Sequence, residues 1–254
     1  MKMHILSGGR LKMRSSVYYP DAAREDTFEL PVLSVLLKHK QGNVLVDTGC
    51  SPDAAKDPVA RWGAGLARYM PPIFEPGDAV VNQLPKAGLT ADDIDVVVCT
   101  HLHPDHCGCN AYFKRATLIA HEAELAVAKA EGSDAQGYFQ REWDHGGKID
   151  ELAGERDLFG DGKITLVPMP GHSAGMTVAV AALEKDGEFV IASDAVPVRA
   201  VLDKRYAPKN TWNAERAVAV LDEIARFEDK GATIILGHDD AQWKSLKTGE
   251  AFYE

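Results

Sequence analysis

A chain of 254 residues, 45% hydrophobic and 26% charged, can bury a large core and is neither a disordered tract nor a fibrous repeat. Its formal charge of −10 argues against a nucleic-acid backbone as partner, because phosphate binding needs clustered Lys and Arg. No apolar run reaches the roughly 18 residues that a membrane span requires, and residues 1–9 lack the apolar core of a secretory leader.

The four cysteines are Cys50, Cys99, Cys107 and Cys109, and three of them flank one histidine-rich stretch. That distribution suits reduced thiols better than a disulfide framework, so the chain reads as cytoplasmic.

In chain order, short strands are expected at residues 3–6 and 11–13. Stronger ones follow at 32–37 and 44–46, joined as a hairpin by the turn-forming Gln41-Gly42-Asn43. Asp47 stands where the second of these leaves the core, as a hydrogen-bond acceptor for a neighbouring ligand or as a turn cap. Residues 57–77 break the pattern with four prolines and three glycines, yet carry Trp62, Leu66, Tyr69, Met70, Ile73 and Phe74. A loop this apolar is expected to be a lid or a dimer contact, with plain core packing as the alternative. A helix over 79–87 and a turn at 90–93 lead into a buried strand, 94–99.

That strand ends in Thr100-His101-Leu102-His103-Pro104-Asp105-His106, with three imidazoles and a carboxylate within six residues. Neutral imidazole and carboxylate are the donors that zinc and similar cations take, and burying them together without a cation is costly. The alternative, a histidine-rich surface loop, leaves so coherent a string unexplained. Cys107-Gly108-Cys109 lacks the usual Cys-x-x-Cys spacing and reads as small buried side chains rather than ligands.

A strand at 117–120 and a helix over 121–130 follow, with His121 in a structural role at the helix start. Residues 132–160 have no firm assignment; within them His145 is a candidate for the pocket wall. His4 and His39 read as strand or surface positions. Further strands are expected at 164–167, 177–182 and 189–192, the last two a hairpin about Lys185-Asp186-Gly187. The clearest helix starts at Asn213, carries Ala217, Val220, Leu221, Ile224 and Phe227 at helical spacing, and stops at Gly231 before a strand at 232–236. Beyond strand ends stand His172, in Gly171-His172-Ser173, then Asp194, then His238. Gly171 leaves room for the backbone to approach a metal. Ligands carried on several strand ends suit a rigid site.

Together these residues resemble the metallo-β-lactamase superfamily over nearly the whole chain, from Asp47-Thr48-Gly49 to Gly237-His238-Asp239. The resemblance implies an α/β fold, an αββα sandwich of two mixed β-sheets with helices outside, as one domain over residues 1–254. By motif, His101, His103 and His172 would hold one metal and Asp105, His106 and His238 another, with Asp194 bridging: two Zn2+ per chain, or other divalent transition metals. His103 stands where the flavodiiron oxidoreductases usually carry Glu, which favours hydrolysis over redox chemistry. The full ligand set argues against an inert, regulatory relative.

Within the superfamily the chain is most similar to the N-acyl homoserine lactonases. The similar pieces are Leu30-Pro31-Val32, Val46-Asp47-Thr48-Gly49-Cys50, the histidine string with Cys107-Gly108-Cys109-Asn110, Leu118-Ile119-Ala120-His121-Glu122, Gly171-His172-Ser173-Ala174-Gly175-Met176 and the tail from Gly237 through Phe252-Tyr253-Glu254. The implied reaction is opening of a small-molecule lactone by metal-activated water, with Asp105 passing a proton to the leaving oxygen. N-acyl homoserine lactone (quorum quenching) is the first substrate, and another lactone, ester or thioester the alternative. One departure matters. Those lactonases usually carry Tyr three residues after the bridging Asp, and here Pro197 stands there. Tyr18, Tyr19 and Tyr206 are the candidates to replace it.

Overall fold

The hydrophobic runs become strands that are buried on both faces. A computed structural model describes residues 1–144 and 146–254; His145, a candidate for the pocket wall, lies outside the described residues. The first sheet holds six strands in sequential order: β1 (Lys2–Arg14), β2 (Thr27–His39), β3 (Gly42–Val46), β4 (Val96–Val98), β5 (Thr117–His121) and β6 (Ile149–Leu152). β1, β2 and β3 pair antiparallel, and β3 through β6 pair parallel. The second sheet comprises β7 (Arg156–Asp157), β8 (Ile164–Pro168), β9 (Thr177–Leu183), β10 (Gly187–Ser193) and β11 (Thr233–Leu236), in the order β11-β10-β9-β8-β7. Only β10 and β11 pair parallel. Both sheets are therefore mixed, as expected.

Strand alternation divides the apolar residues between two cores. Leu33, Val35 and Leu37 of β2 join Ile164, Leu166, Ala181 and Ile191 of the second sheet in the core between the sheets. The intervening Val32 and Leu36 face outward, into a larger cluster with Leu84, Leu125, Val220, Leu221 and Ile224 from the helical segments. The helix Ala214–Asp229 buries Ala217, Val220, Leu221 and Ile224 against β10 and β11, with Asn213 capping Arg216 N.

Two expectations need correction. The two short strands at 3–6 and 11–13 are one strand, because Gly8-Gly9 is absorbed as an irregularity in the β1–β2 register instead of ending the pairing. Residues 57–77 are a loop only beyond Tyr69. Helices Pro52–Lys56 and Pro58–Tyr69 each begin with Pro in the first turn, capped by Ser51 and Asp57. The second is interrupted only at Gly63, whose backbone (φ 77°, ψ 157°) leaves the helical region and kinks it. Pro58, which looks like a breaker, is a helix starter, since a first-turn residue has no intrahelical use for its N–H, while Pro71 and Pro72 lie beyond the helix end. This helix buries Trp62 and Ala67, while Leu66, Tyr69 and Met70 turn toward a cavity.

Candidate metal centre

Four strand ends converge where the polar residues collect. β3 delivers Asp47, β4 the loop 100–106, β10 Ser193 and Asp194, and β11 His238; β8 leads to His172. Asp47 and Ser193 both hold left-handed backbone, φ 58° and 48°, which is unfavourable for residues with a side chain by about 1–3 kcal/mol each. The surrounding hydrogen bonds fix them there. Asp47 accepts from Thr100 N (2.8 Å), Thr100 Oγ1 (2.7 Å) and Ser193 Oγ (3.1 Å), and faces His106 Nδ1 at 2.9 Å. Asp47 thus acts as an acceptor behind His106, and of its two sequence readings this is the one the geometry supports.

His106 presents Nδ1 to Asp47, and His238 presents Nδ1 to the Pro31 carbonyl at 2.9 Å. Each Nδ1 then carries the proton, which turns the Nε2 lone pair toward the centre. Ligand atoms cluster in three groups, each within 4.8 Å: His101, His103, His172; His101, His106, Asp194; and Asp105, His106, His238. Asp194 reaches both sides. Its Oδ2 lies 3.4 Å from His172 Nε2, and its Oδ1 lies 3.3 Å from His106 Nε2 and 2.9 Å from His238 Nε2. Asp105 Oδ2 lies 3.6 Å from His106 Nε2 and 3.7 Å from His238 Nε2. All seven residues singled out in the sequence are brought together.

His101 Nε2, His106 Nε2 and Asp194 Oδ1 are buried without a hydrogen bond of proper geometry. Buried polar atoms left so are rare, and three converging in one place fit a divalent cation. Protonation follows the same division. Burial, and then neighbouring imidazoles, push His101 well below its ordinary range; burial lowers His103 and takes His172 down to about 4. Burial also opposes the charged forms of His106 and His238, but there the nearby carboxylates prevail and both are raised. Burial disfavours the Asp194 carboxylate, yet His238 and His106 hold it well below the usual carboxylate range.

The family model of the metallo-β-lactamase superfamily matches residues 27–238, most of the two sheets. The chain belongs to that superfamily. N-acyl homoserine lactonase AiiB of Agrobacterium fabrum is 33% identical over 89% of this chain and 86% of its own. N-acyl homoserine lactonase AttM of Azorhizobium caulinodans is 27% identical over 100% of this chain and 99% of its own. A solved N-acyl homoserine lactone hydrolase, with N-hexanoyl-L-homoserine bound at its catalytic metal centre, superposes with a TM-score of 0.88 at 23% identity, covering 99% of this chain and 98% of that one. The sandwich expected from the sequence is therefore the superfamily's fold.

Several supports of the centre were not legible in the sequence. Glu124, fully buried, accepts from Leu102 N (3.0 Å) and Gly175 N (2.8 Å) and so ties the 100–106 loop to the His172 loop. It sits in a helix of ordinary composition, and only its tertiary partners reveal it. Gly171 has a different purpose from the one expected: a Cβ there would lie 2.7 Å from Ala217 Cα, so the close approach is to the helix Ala214–Asp229. At Gly237 a Cβ would meet Asp194 Oδ1 and the Ser193 carbonyl at 2.8 Å, which keeps β11 close enough to place His238. The thiols of Cys107 and Cys109 donate to the carbonyls of Leu102 and Cys50, and neither joins a ligand group.

A cavity of about 260 Å3 opens over the cluster, floored by His103, Asp105 and Asp194 and walled by Met13, Leu66 and Met70. Of the three tyrosines considered, Tyr18 lines it; its ring stacks on His238 at 6.2 Å between centroids. Tyr19 packs edge-on to Phe28, and the Tyr206 hydroxyl is spent on the Tyr18 carbonyl. Pro197 is buried, and its carbonyl accepts from His238 N at 2.7 Å. It steadies a ligand loop.

Asp47→Asn tests the hub behind His106. Losing the charge that orients His106 is expected to weaken metal binding by about 10–100-fold while the chain stays folded. Competition with a zinc chelator measures it, and unchanged affinity would remove Asp47 from that role.

Proposed function

We propose that this chain is a metal-dependent hydrolase that opens a lactone ring, with an N-acyl homoserine lactone as the leading substrate. The observation that carries the reading is the convergence of seven donors, three of their atoms buried without a hydrogen bond of proper geometry, beneath a cavity with apolar walls. Whole-length similarity to proteins named N-acyl homoserine lactonase supports the substrate class.

In this reading His101, His103 and His172 would hold one zinc ion and Asp105, His106 and His238 the other, with Asp194 available to both. Zinc bound there supplies a Lewis acid for the ester carbonyl and a water of lowered pKa. The chain's residues do the rest. Met13, Leu66 and Met70 shield the acyl group, and Tyr18 offers a phenolic O–H to an ester oxygen. Water adds to the carbonyl, the ring C–O bond breaks, and Asp105 carries a proton to the departing oxygen; the product is a hydroxy acid. No side-chain nucleophile takes part, so ping-pong kinetics are not expected. One domain, residues 1–254, suffices, because both sheets contribute donors. No described helix is long and apolar enough to cross a membrane; reduced, buried thiols support a cytoplasmic setting.

The deciding experiment is acid release from a lactone panel by zinc-loaded protein, beside a chelator-stripped control. The panel holds acyl-homoserine lactones of short and long chain, plain γ- and δ-lactones and an aromatic lactone. Metal-dependent opening of the acyl-homoserine lactones is expected. Opening of the others alone would keep the chemistry and move the substrate, and no acid from any would overturn the reading.

Two smaller effects follow. Tyr18→Phe is expected to lower kcat by about tenfold, the worth of one good hydrogen bond, with zinc content unchanged. Zinc affinity is expected to weaken as pH falls from the alkaline side through the raised range of His106 and His238 and on into acid. His106 and His238, raised in the metal-free chain, hold protons that zinc must displace, and more of them as the solution becomes acidic. Affinity independent of pH over that range would contradict the assignment.

A further inference from the structure

The cavity over the ligand cluster does not end at its apolar walls. Met13 and Tyr69 also line a wider cavity of about 800 Å3, and Tyr69, with Arg14, lines a third of about 520 Å3. The shared lining residues set the three cavities side by side as a groove, from Asp105 and Asp194 past Met13, Leu66, Met70 and Tyr69 to the outer end of β1.

That outer end is basic. Lys12, Arg14 and Arg68 line the second cavity, and Arg14, Arg24 and Lys209 the third, while neither is lined by an Asp or Glu. Lys12 stands opposite Glu29 across the β1–β2 ladder, and Glu29 already meets Arg10. Arg14 stands opposite Thr27 instead. Among the described residues, Arg14, Arg24, Arg68 and Lys209 make no ion pair, although the chain carries 38 acidic residues against 28 basic ones. Unpaired cations gathered at one groove in an acidic protein focus a positive field there and attract an anion.

We propose that this groove selects substrates whose chain, beyond an apolar stretch, ends in an anionic group such as a carboxylate, held by Arg14 and Arg68. The proposal rests on the lactonase reading of the same site and specifies its substrate class: reacting carbonyl over the ligand cluster, apolar spacer along Met13, Leu66 and Met70, anion at the rim. Guanidinium forks suit a carboxylate, sulfate or phosphate equally, and the rim by itself does not distinguish them.

The test compares two homoserine lactones acylated with the same long dicarboxylic acid, one with its far end a free carboxylate and one a methyl ester. Zinc-loaded wild type is expected to show kcat/KM about tenfold higher for the carboxylate at low salt, the preference shrinking as salt is raised. In Arg14→Gln/Arg68→Gln the ratio is expected to fall to about one, with circular dichroism and zinc content as fold controls. A wild-type ratio near one, or a ratio that survives in the double variant, overturns the proposal. Sulfate-ended and phosphate-ended chains, run alongside, rank the anion. Failure of every lactone to open would count against the lactonase reading alone, and calorimetry then reads the groove by itself. Dodecanedioate binding that weakens about tenfold in the double variant supports the site, and equal binding in both proteins overturns it.

Discussion

Asp105→Asn should give a folded protein whose turnover falls by about 10²–10⁴-fold, the usual worth of a positioned proton carrier. Asp105 is only 5% exposed, lines the cavity, and sets one carboxylate oxygen beside His106 and His238. Asparagine keeps the shape and one oxygen but neither takes nor gives the proton that the leaving oxygen requires. The defect is therefore expected in kcat rather than in KM. Zinc analysis separates the two parts the residue plays: a large fall in turnover with zinc retained assigns proton transfer, and zinc loss in parallel with activity leaves only ligation. Turnover near that of wild type would remove Asp105 from the chemistry.

His106→Ala is expected to cost zinc as well as activity. The imidazole is almost wholly buried between the Asp47 carboxylate and the facing oxygens of Asp194 and Asp105. Its removal takes a donor from the Asp105–His106–His238 group and leaves Asp47 with only Thr100 and Ser193. Bound zinc should drop from two equivalents toward one. Loss of a Lewis acid worth several kcal/mol should then lower kcat/KM on the order of 10³-fold or more. Full zinc retention in the variant would contradict the ligand assignment; a thermal melt checks that the chain still folds cooperatively.

The strands and the candidate donors were legible because each left a local mark. β2 and β3 are runs of Val and Leu closed by a Gly/Asn turn, and the helix Ala214–Asp229 shows its apolar spacing and its cap. Four of the seven donors lie within six residues, and the other three each follow a strand. Where the reading failed, the local mark was ambiguous. Pro58 and Gly63 look like loop residues but start and interrupt a helix, and Gly8-Gly9 looks like a strand end but is an irregularity within β1.

The sequence by itself determined the donor chemistry, the superfamily, and the apolar run that becomes β2, because each depends on residue type and short-range spacing. Only the tertiary structure decided which atoms meet. Asp47, the 100–106 loop and Ser193 are far apart in the chain, and Asp47, Thr100, Ser193 and His106 become one hydrogen-bonded group when β3, β4 and β10 end together. The same holds for Glu124 joining two loops, for Tyr18 lying over His238, and for Arg14 and Arg68 reaching one rim from a strand and a helix. Contacts between distant segments are fixed by how the two sheets pack, and no local pattern encodes them.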